Sequence, residues 1–212
     1  TLHQLFFEQC RFHHHALRYF HSKVFLHAHS YFSRDFSGFC AGSQEYSFAL
    51  LRKIGQDNFM LAVEVKGLVK RYPNKVAVDG IDLEIIKGEI FALLGPNGAG
   101  KTTTVEILEG YRKRDGGSVS VLGIDPDLGD AEWRNRIGIV LQSTKDGEEL
   151  TVFEVVSHFS HYYKNPRDPL QVIEEVGLQE KRNARIETLS GGQRRRLDVA
   201  LGIIGNPEIL FL

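Results

Sequence analysis

Residues 90–104 read IFALLGPNGAGKTTT, and the reading of this stretch decides the fold. Residues 90–94 are a short apolar run of the kind that makes a buried strand. The run breaks into a turn where Gly95, Gly98 and Gly100 lack the Cβ atoms that would keep backbone away from an anion. Residues 101–111 then read as a helix whose N-terminus faces the turn, so free N–H groups and the positive end of the helix dipole converge on one point. A triphosphate fits that point. The candidate cradle runs from Gly95, Pro96, Asn97, Gly98, Ala99 and Gly100 to Lys101, Thr102 and Thr103. Lys101 would reach the β- and γ-phosphates, and the Thr102 hydroxyl would complete the coordination of Mg²⁺. The alternative, a glycine turn before an ordinary helix, loses ground because the pattern sits between a strand and a helix, as phosphate binding requires.

At 212 residues, 42% of them hydrophobic and 25% charged, the chain has the composition of an ordinary globular protein of one large or two small domains. No uninterrupted apolar run approaches the ~20 residues that cross a bilayer, and no basic-then-apolar signal opens the chain. A net charge of -1 leaves no electrostatic footprint for nucleic acid, so no such partner is expected. Cys10 and Cys40 are too few for a disulfide framework, which favours a reducing, cytoplasmic setting.

Composition breaks near Met60, the single methionine. Residues 1–59 hold seven of the nine histidines, ten of the fourteen phenylalanines and both cysteines, but none of the six prolines. Met60 therefore reads as the true start, and residues 1–59 as an atypical leader and not a native domain. The histidines and cysteines of this stretch, His13, His14, His15, His27, His29, Cys10 and Cys40, show no recognised zinc spacing. Its aromatic residues Phe6, Phe7, Phe12, Tyr19, Phe20 and Phe25 could share one helical face, for packing and not for a cofactor.

From Met60 onward the turn chemistry is conventional. Residues 61–72 alternate as a half-buried strand and end at Pro73-Asn74; residues 76–86 are a second extended stretch with Asp79-Gly80 as a turn or bulge. Antiparallel β-structure thus precedes a strand–loop–helix unit, which points to an α/β fold. Beyond the P-loop helix, Asp115-Gly116-Gly117 reads as a turn and residues 118–122 as a strand. Residues 130–136 read as a short helix, with Asp130 as N-cap and Trp133 inward. Residues 137–141 are a fully apolar strand ending at Gln142. Residues 145–188 read as a mostly helical insertion, residues 191–204 as a helix, and residues 209–212 as an apolar strand.

Residues 189–193 are LSGGQ, followed by the basic run Arg194, Arg195 and Arg196, which reads as a solvated helix face. Together GPNGAGKTT, Gln142 after IGIVL, LSGGQ and the terminal ILFL resemble the nucleotide-binding domain of ABC transporters, in order and separation, over about residues 61–212. VLQSTKDGEELTVFEVV and LSGGQRRRLDVALGIIGNPE look most like the drug-export branch, the daunorubicin-resistance-like ATPases. The resemblance implies a P-loop NTPase core with an antiparallel β subdomain and a helical insertion (residues 145–188), a partial domain spanning 60–212 that is C-terminally incomplete. Tyr72 would stack on adenine. Gln142 would touch Mg²⁺ or the attacking water, joining Lys101 in catalysis. Ser190, Gly191, Gly192 and Gln193 would form a second anion site that closes on ATP held by the P-loop of a paired domain, in a homodimer or with a second ATP-binding domain.

The implied function is that of a cytoplasmic ATP-binding subunit, peripheral on the inner face of the membrane, coupling ATP binding and hydrolysis to export through a separate transmembrane permease. Hydrolysis in that family also uses an aspartate and a glutamate after a run such as ILFL, and a later switch histidine; none occurs here, and His158 and His161 stand too early in the chain. The 212 residues alone are thus expected to bind MgATP weakly and to be deficient in hydrolysis. Two other classes remain open: a soluble ABC ATPase acting on ribosomes or DNA, and a non-hydrolysing nucleotide-binding regulator. If Met60 is the start, intact-mass analysis of the product of the native gene will find no residue before it.

Overall fold

The computed structural model describes residues 24–29, 60–140 and 149–212. The remaining residues of the first stretch, with both cysteines and most of its aromatic and histidine residues, lie outside the described residues, as does Gln142. The chain falls into two units, one made chiefly of Val24–Trp133 and the other of Arg134–Leu210.

In the first unit, strand β1 (Val24–His29) is an element for which the sequence carries no turn or alternation signal. Phe25 accordingly lies in a strand and not on a helical face. The alternating run from Leu61 forms β2 (Leu61–Tyr72), and the turn at Pro73-Asn74 returns the chain as β3 (Lys75–Ile86) in an antiparallel hairpin. Asp79-Gly80 does not end this strand. Gly80, at φ 75, is the extra residue between the pairs Val69–Asp79 and Leu68–Ile81, so the feature is a bulge. Ala62, Val63, Val65, Leu68, Val78 and Ile85 turn one face of the hairpin inward. Burying an aliphatic side chain of this size stabilises by about 1.5–3 kcal/mol, which fixes the register.

The apolar run before the glycines is β4 (Ile90–Leu94); it pairs in parallel with β1, Phe25 opposite Ile90 and His29 opposite Leu94. Helix α1 (Lys101–Leu108) follows. It stops three residues earlier than its apolar spacing suggests, because Gly110 takes φ 74 and packs against the Trp133 ring, where a Cβ would lie 3.3 Å from the indole. Strand β5 (Gly116–Val121) pairs antiparallel with β2, so the sheet order is β3-β2-β5. The strand begins at Gly116 and not at Ser118. Gly117, at φ 81, lies so close to the Gly67 carbonyl that a Cβ would come within 2.3 Å of it, and only glycine permits the ladder to start there. Helix α2 (Ala131–Arg134) is capped by Asp130, whose Oδ1 accepts from the Trp133 N–H at 2.8 Å. The Trp133 ring is buried and its Nε1 donates to the Val121 carbonyl at 2.9 Å.

In the second unit β6 (Ile137–Ile139) is shorter than the apolar run, with Val140 still buried beyond its end. The expected helical insertion consists, over residues 149–188, of α3 (Val152–Ser160), α4 (Pro169–Glu175) and two single 3₁₀ turns. Thr151 and Glu154 form a reciprocal capping box on α3, and Asp168 with Pro169 starts α4. Helix α5 (Gly191–Ile203) leads to β7 (Ile209–Phe211), which neighbours β6. Val152, Val156, Val172, Ile173, Leu197, Ala200 and Ile203 form the apolar centre of this unit.

The arginine run on α5 differs from expectation: Arg194, Arg195 and Arg196 are only half-exposed. Arg194 donates to the Ile186 carbonyl at 3.2 Å and Arg196 to the Gly177 carbonyl at 3.0 Å. The carbonyls that follow α4 and that open the second 3₁₀ turn thus hold two of these side chains against the protein surface.

Glycine allows close packing where β6 crosses α5. A Cβ on Gly138 would stand 2.2 Å from the Gly202 carbonyl and 2.8 Å from Leu210 and Pro207. Gly138→Ala is expected to destabilise the protein by about 1–3 kcal/mol, whereas Gly191→Ala, where a Cβ meets nothing within 4 Å, will be neutral or stabilising; urea denaturation followed by circular dichroism distinguishes them.

Candidate phosphate-binding site

The loop between β4 and α1 owes its shape to two left-handed glycines, Gly98 at φ 82 and Gly100 at φ 88. Gly100 is the N-cap of α1, so no side chain covers the helix end, and the first turn contains no acidic residue. The hydrogen-bond ladder begins with Thr104 N–H to Gly100 O at 2.8 Å; the N–H groups of Lys101, Thr102 and Thr103 therefore precede it, at the positive end of the helix. Thr104 is buried and its Oγ1 donates to the same Gly100 carbonyl at 2.9 Å, which closes the first turn from behind. Thr102 is exposed, and Pro96, Asn97 and Gly98 form the exposed crest of the loop.

Lys101 is buried to 7% exposure and folds back over the loop, its Nζ donating to Gly95 O at 2.7 Å and to Pro96 O at 2.9 Å. Among the described residues no carboxylate pairs with it. A buried ammonium satisfied only by neutral carbonyls favours an incoming anion.

The β2–β3 hairpin approaches the same loop. A Cβ on Gly100 would fall 2.1 Å from the Ala77 carbonyl, so β3 lies directly on the loop. At the hairpin tip Tyr72 and Lys75 are paired across the turn, and Lys75 Nζ donates to Gly98 O at 2.7 Å. Tyr72 is 37% exposed and so is not a core aromatic. The Arg112 guanidinium lies 5.7 Å from its ring centroid and the Lys70 ammonium 5.8 Å. Both cations are tied, Arg112 Nε to Glu106 at 2.6 Å and Lys70 to Asp115 at 2.9 Å. Lys75 and Arg112 escape a motif search. The signal for Lys75 is the register that a Pro73-Asn74 turn imposes; Arg112 carries none, since its partners come from α1 and β2.

In the second unit Ser190 caps α5 in a capping box: its Oγ accepts from Gln193 N–H at 3.3 Å, and Gln193 Oε1 accepts from Ser190 N–H at 2.9 Å. Gly191 and Gly192 are exposed, and a Cβ on either would meet nothing within 4 Å. Neither has a positive φ. Among the described residues nothing requires glycine at these two positions. His158 is engaged with the Tyr162 hydroxyl at 3.0 Å and His161 with the Ser157 carbonyl at 2.7 Å.

A parallel strand, a glycine loop and a helix, flanked by an antiparallel sheet, define a P-loop nucleotide-binding domain. The chain belongs to the ABC transporter family, whose profile matches residues 78–212. It is 36% identical over 155 residues to the Nod factor export ATP-binding protein I of Ralstonia nicotianae, covering 71% of this chain and 48% of that one. It is 38% identical over 156 residues to the daunorubicin/doxorubicin resistance ATP-binding protein of Streptomyces peucetius, with 71% and 47% covered. The chain thus spans about half the length of the curated relatives it matches. Among solved structures it superposes on cbiO1 of Clostridium perfringens, described as part of an ABC transporter complex, with a TM-score of 0.62 at 26% identity, over 71% of this chain and 64% of that one.

The helix behind the loop contains a titrating group. Burial and the neighbouring Glu106 carboxylate push the Glu109 carboxyl, at the C-terminal cap of α1, up to about 7. The folded state therefore retains a proton that the unfolded chain, with an ordinary value of 4.5, has released. The contribution to stability is complete below the unfolded value and falls as pH rises through the folded one. Glu109→Gln is expected to flatten the decline of the urea midpoint between about pH 5 and 7.5.

Proposed function

We propose that this chain is the ATP-binding part of an ABC exporter, in which ATP binding and hydrolysis drive a separate membrane permease. The observation that carries the reading is the uncapped, acid-free N-terminus of α1 with the buried Lys101 ammonium folded over its glycine loop. Here the N–H groups of Gly98 and of Gly100 to Thr103 would hold the phosphates, with the Ala99 N–H engaged by the Pro96 carbonyl and Pro96 and Asn97 shaping the crest. Lys101 would exchange its carbonyl acceptors for β- and γ-phosphate oxygens. Thr102, exposed in the first turn, has the hard oxygen donor that Mg²⁺ prefers, and Gln142 would be its second protein ligand or would orient water. When bound, Mg²⁺ would neutralise phosphate charge.

Tyr72 would offer its π-face to the adenine. Ser190 to Gln193 would serve the ATP of a second copy or a paired domain: the Ser190 hydroxyl still has its proton to donate, and Gly191 and Gly192 leave room for phosphate to approach. That arrangement gives the open glycines a role that packing within the chain does not. The helical insertion near residues 142–163, where Phe153 and Tyr162 are exposed, would be the surface for the permease. We place the protein on the cytoplasmic face of the membrane, as a peripheral subunit, with residues 60–212 carrying its ATP-binding loop and LSGGQ motif; β1 of the preceding stretch pairs with the strand before that loop. Among the described residues no helix is long and apolar enough to cross a membrane. The names of the relatives, export for the one from Ralstonia and drug resistance for the one from Streptomyces, favour this reading over ribosome- or DNA-directed ATPases.

Isothermal titration with MgATP tests it. Lys101→Ala is expected to weaken binding at least about tenfold, as loss of a charged hydrogen-bond donor does. Tyr72→Ala should cost about 1–3 kcal/mol for ATP and nothing for tripolyphosphate, which has no base. Wild-type affinity for MgATP in Lys101→Ala would overturn the assignment.

A further inference from the structure

Lys75 stands at the loop, and the reading above gives it no task. It follows the Pro73-Asn74 turn, is exposed, and sits opposite Tyr72 in the hairpin register. Its ammonium rests on the Gly98 carbonyl at 2.7 Å, on the crest of the phosphate loop. Among the described residues no carboxylate pairs with Lys75, nor with Lys101. Two ammonium groups, one from the helix and one from the hairpin, are thus held by neutral carbonyls of a single loop, with no acid beside either. Such an arrangement concentrates positive charge where only an anion can neutralise it.

We propose that Lys75 is a second phosphate-binding lysine, which moves from the Gly98 carbonyl to the phosphate chain of a bound nucleoside di- or triphosphate. The inference rests on the assignment of this loop to nucleotide phosphates. A lysine has three rotatable donors on a flexible four-carbon stem, so it can change acceptor without moving the backbone. It has three donors and no acceptor, so the charged phosphate oxygens are better partners for it than the neutral acceptors of a base. A phosphate oxygen is also the stronger acceptor, because the hydrogen bond is then charged on both sides. The hairpin tip holds Tyr72 and Lys75 opposite each other, so one short turn would deliver a base-stacking surface and a phosphate donor together. Because Lys75 would meet ADP and ATP alike, it would raise affinity for both without favouring the transition state.

The competing role is a clamp: Lys75 would only dock the hairpin on the loop and so position Tyr72. A ligand without a base separates the two. Tripolyphosphate and ADP are titrated calorimetrically into the full chain and into Lys75→Ala, Lys75→Gln, Lys75→Arg and Lys101→Ala. A phosphate-binding Lys75 predicts that the alanine and glutamine variants bind tripolyphosphate about tenfold more weakly, that arginine restores most of the loss, and that the gap narrows as salt rises. Unchanged tripolyphosphate affinity in both Lys75→Ala and Lys75→Gln, with Lys101→Ala impaired, overturns the proposal and leaves the nucleotide assignment standing. If Lys101→Ala also binds tripolyphosphate like the wild type, the assignment of the loop has failed, and the proposal with it.

Discussion

The contact between Gly100 and the Ala77 carbonyl is the constraint on which the first unit depends. The two chain segments approach so closely that a Cβ at residue 100 would come within 2.1 Å of the oxygen. Residue 100 is also the left-handed cap of α1, so one glycine meets a conformational and a steric demand at once. With β3 seated there, the hairpin tip extends over the loop and Lys75 reaches Gly98. The Thr104 hydroxyl and the Lys101 ammonium hold the loop from the other side, through the carbonyls of Gly100, Gly95 and Pro96. The loop is therefore pinned by its oxygens; of its amide hydrogens, that of Ala99 donates to the Pro96 carbonyl at 3.2 Å, while those of Lys101, Thr102 and Thr103 precede the helix ladder.

The second unit uses glycine in two opposite ways. Gly138 and Gly202 are pressed against neighbouring backbone and side chains, and the apolar centre of the unit closes around them. Gly191 and Gly192 face open space. Residues of one type, within a dozen positions on the same helix, thus mark a packed seam at one end and a bare approach at the other. The capping box of Ser190 and Gln193 keeps the bare end folded without a partner, since each side chain satisfies a backbone N–H of the other.

What was legible in the sequence was what local chemistry decides. Three glycines between an apolar run and a lysine specify a strand, a tight loop and a helix start over a span of fifteen residues, and the structure has each in place. Asp130 before Trp133 is a start signal of the same local kind. The misses involve partners far along the chain. Helix α1 stops early because the Trp133 ring claims the space at Gly110. The arginine run looked solvated because the Gly177 and Ile186 carbonyls that attract it are eight or more residues away. Strand β1 gains its pairing from β4, over sixty residues on, and nothing in VFLHAH announces it. At the site, the loop residues were legible by motif, whereas Lys75 became visible only once the register of the hairpin was known.

The lysine–carbonyl bonds of the loop have a kinetic consequence. An anion entering this site would not fill an empty socket; it would displace an acceptor that each ammonium already has. The gain is the difference between two hydrogen bonds and not the whole of one. When the anion departs, the same carbonyls recapture the ammonium groups, so the loop need not collapse or recruit water to release its ligand. On the proposed reading it would behave as a small ion exchanger, suited to repeated loading and discharge more than to permanent retention.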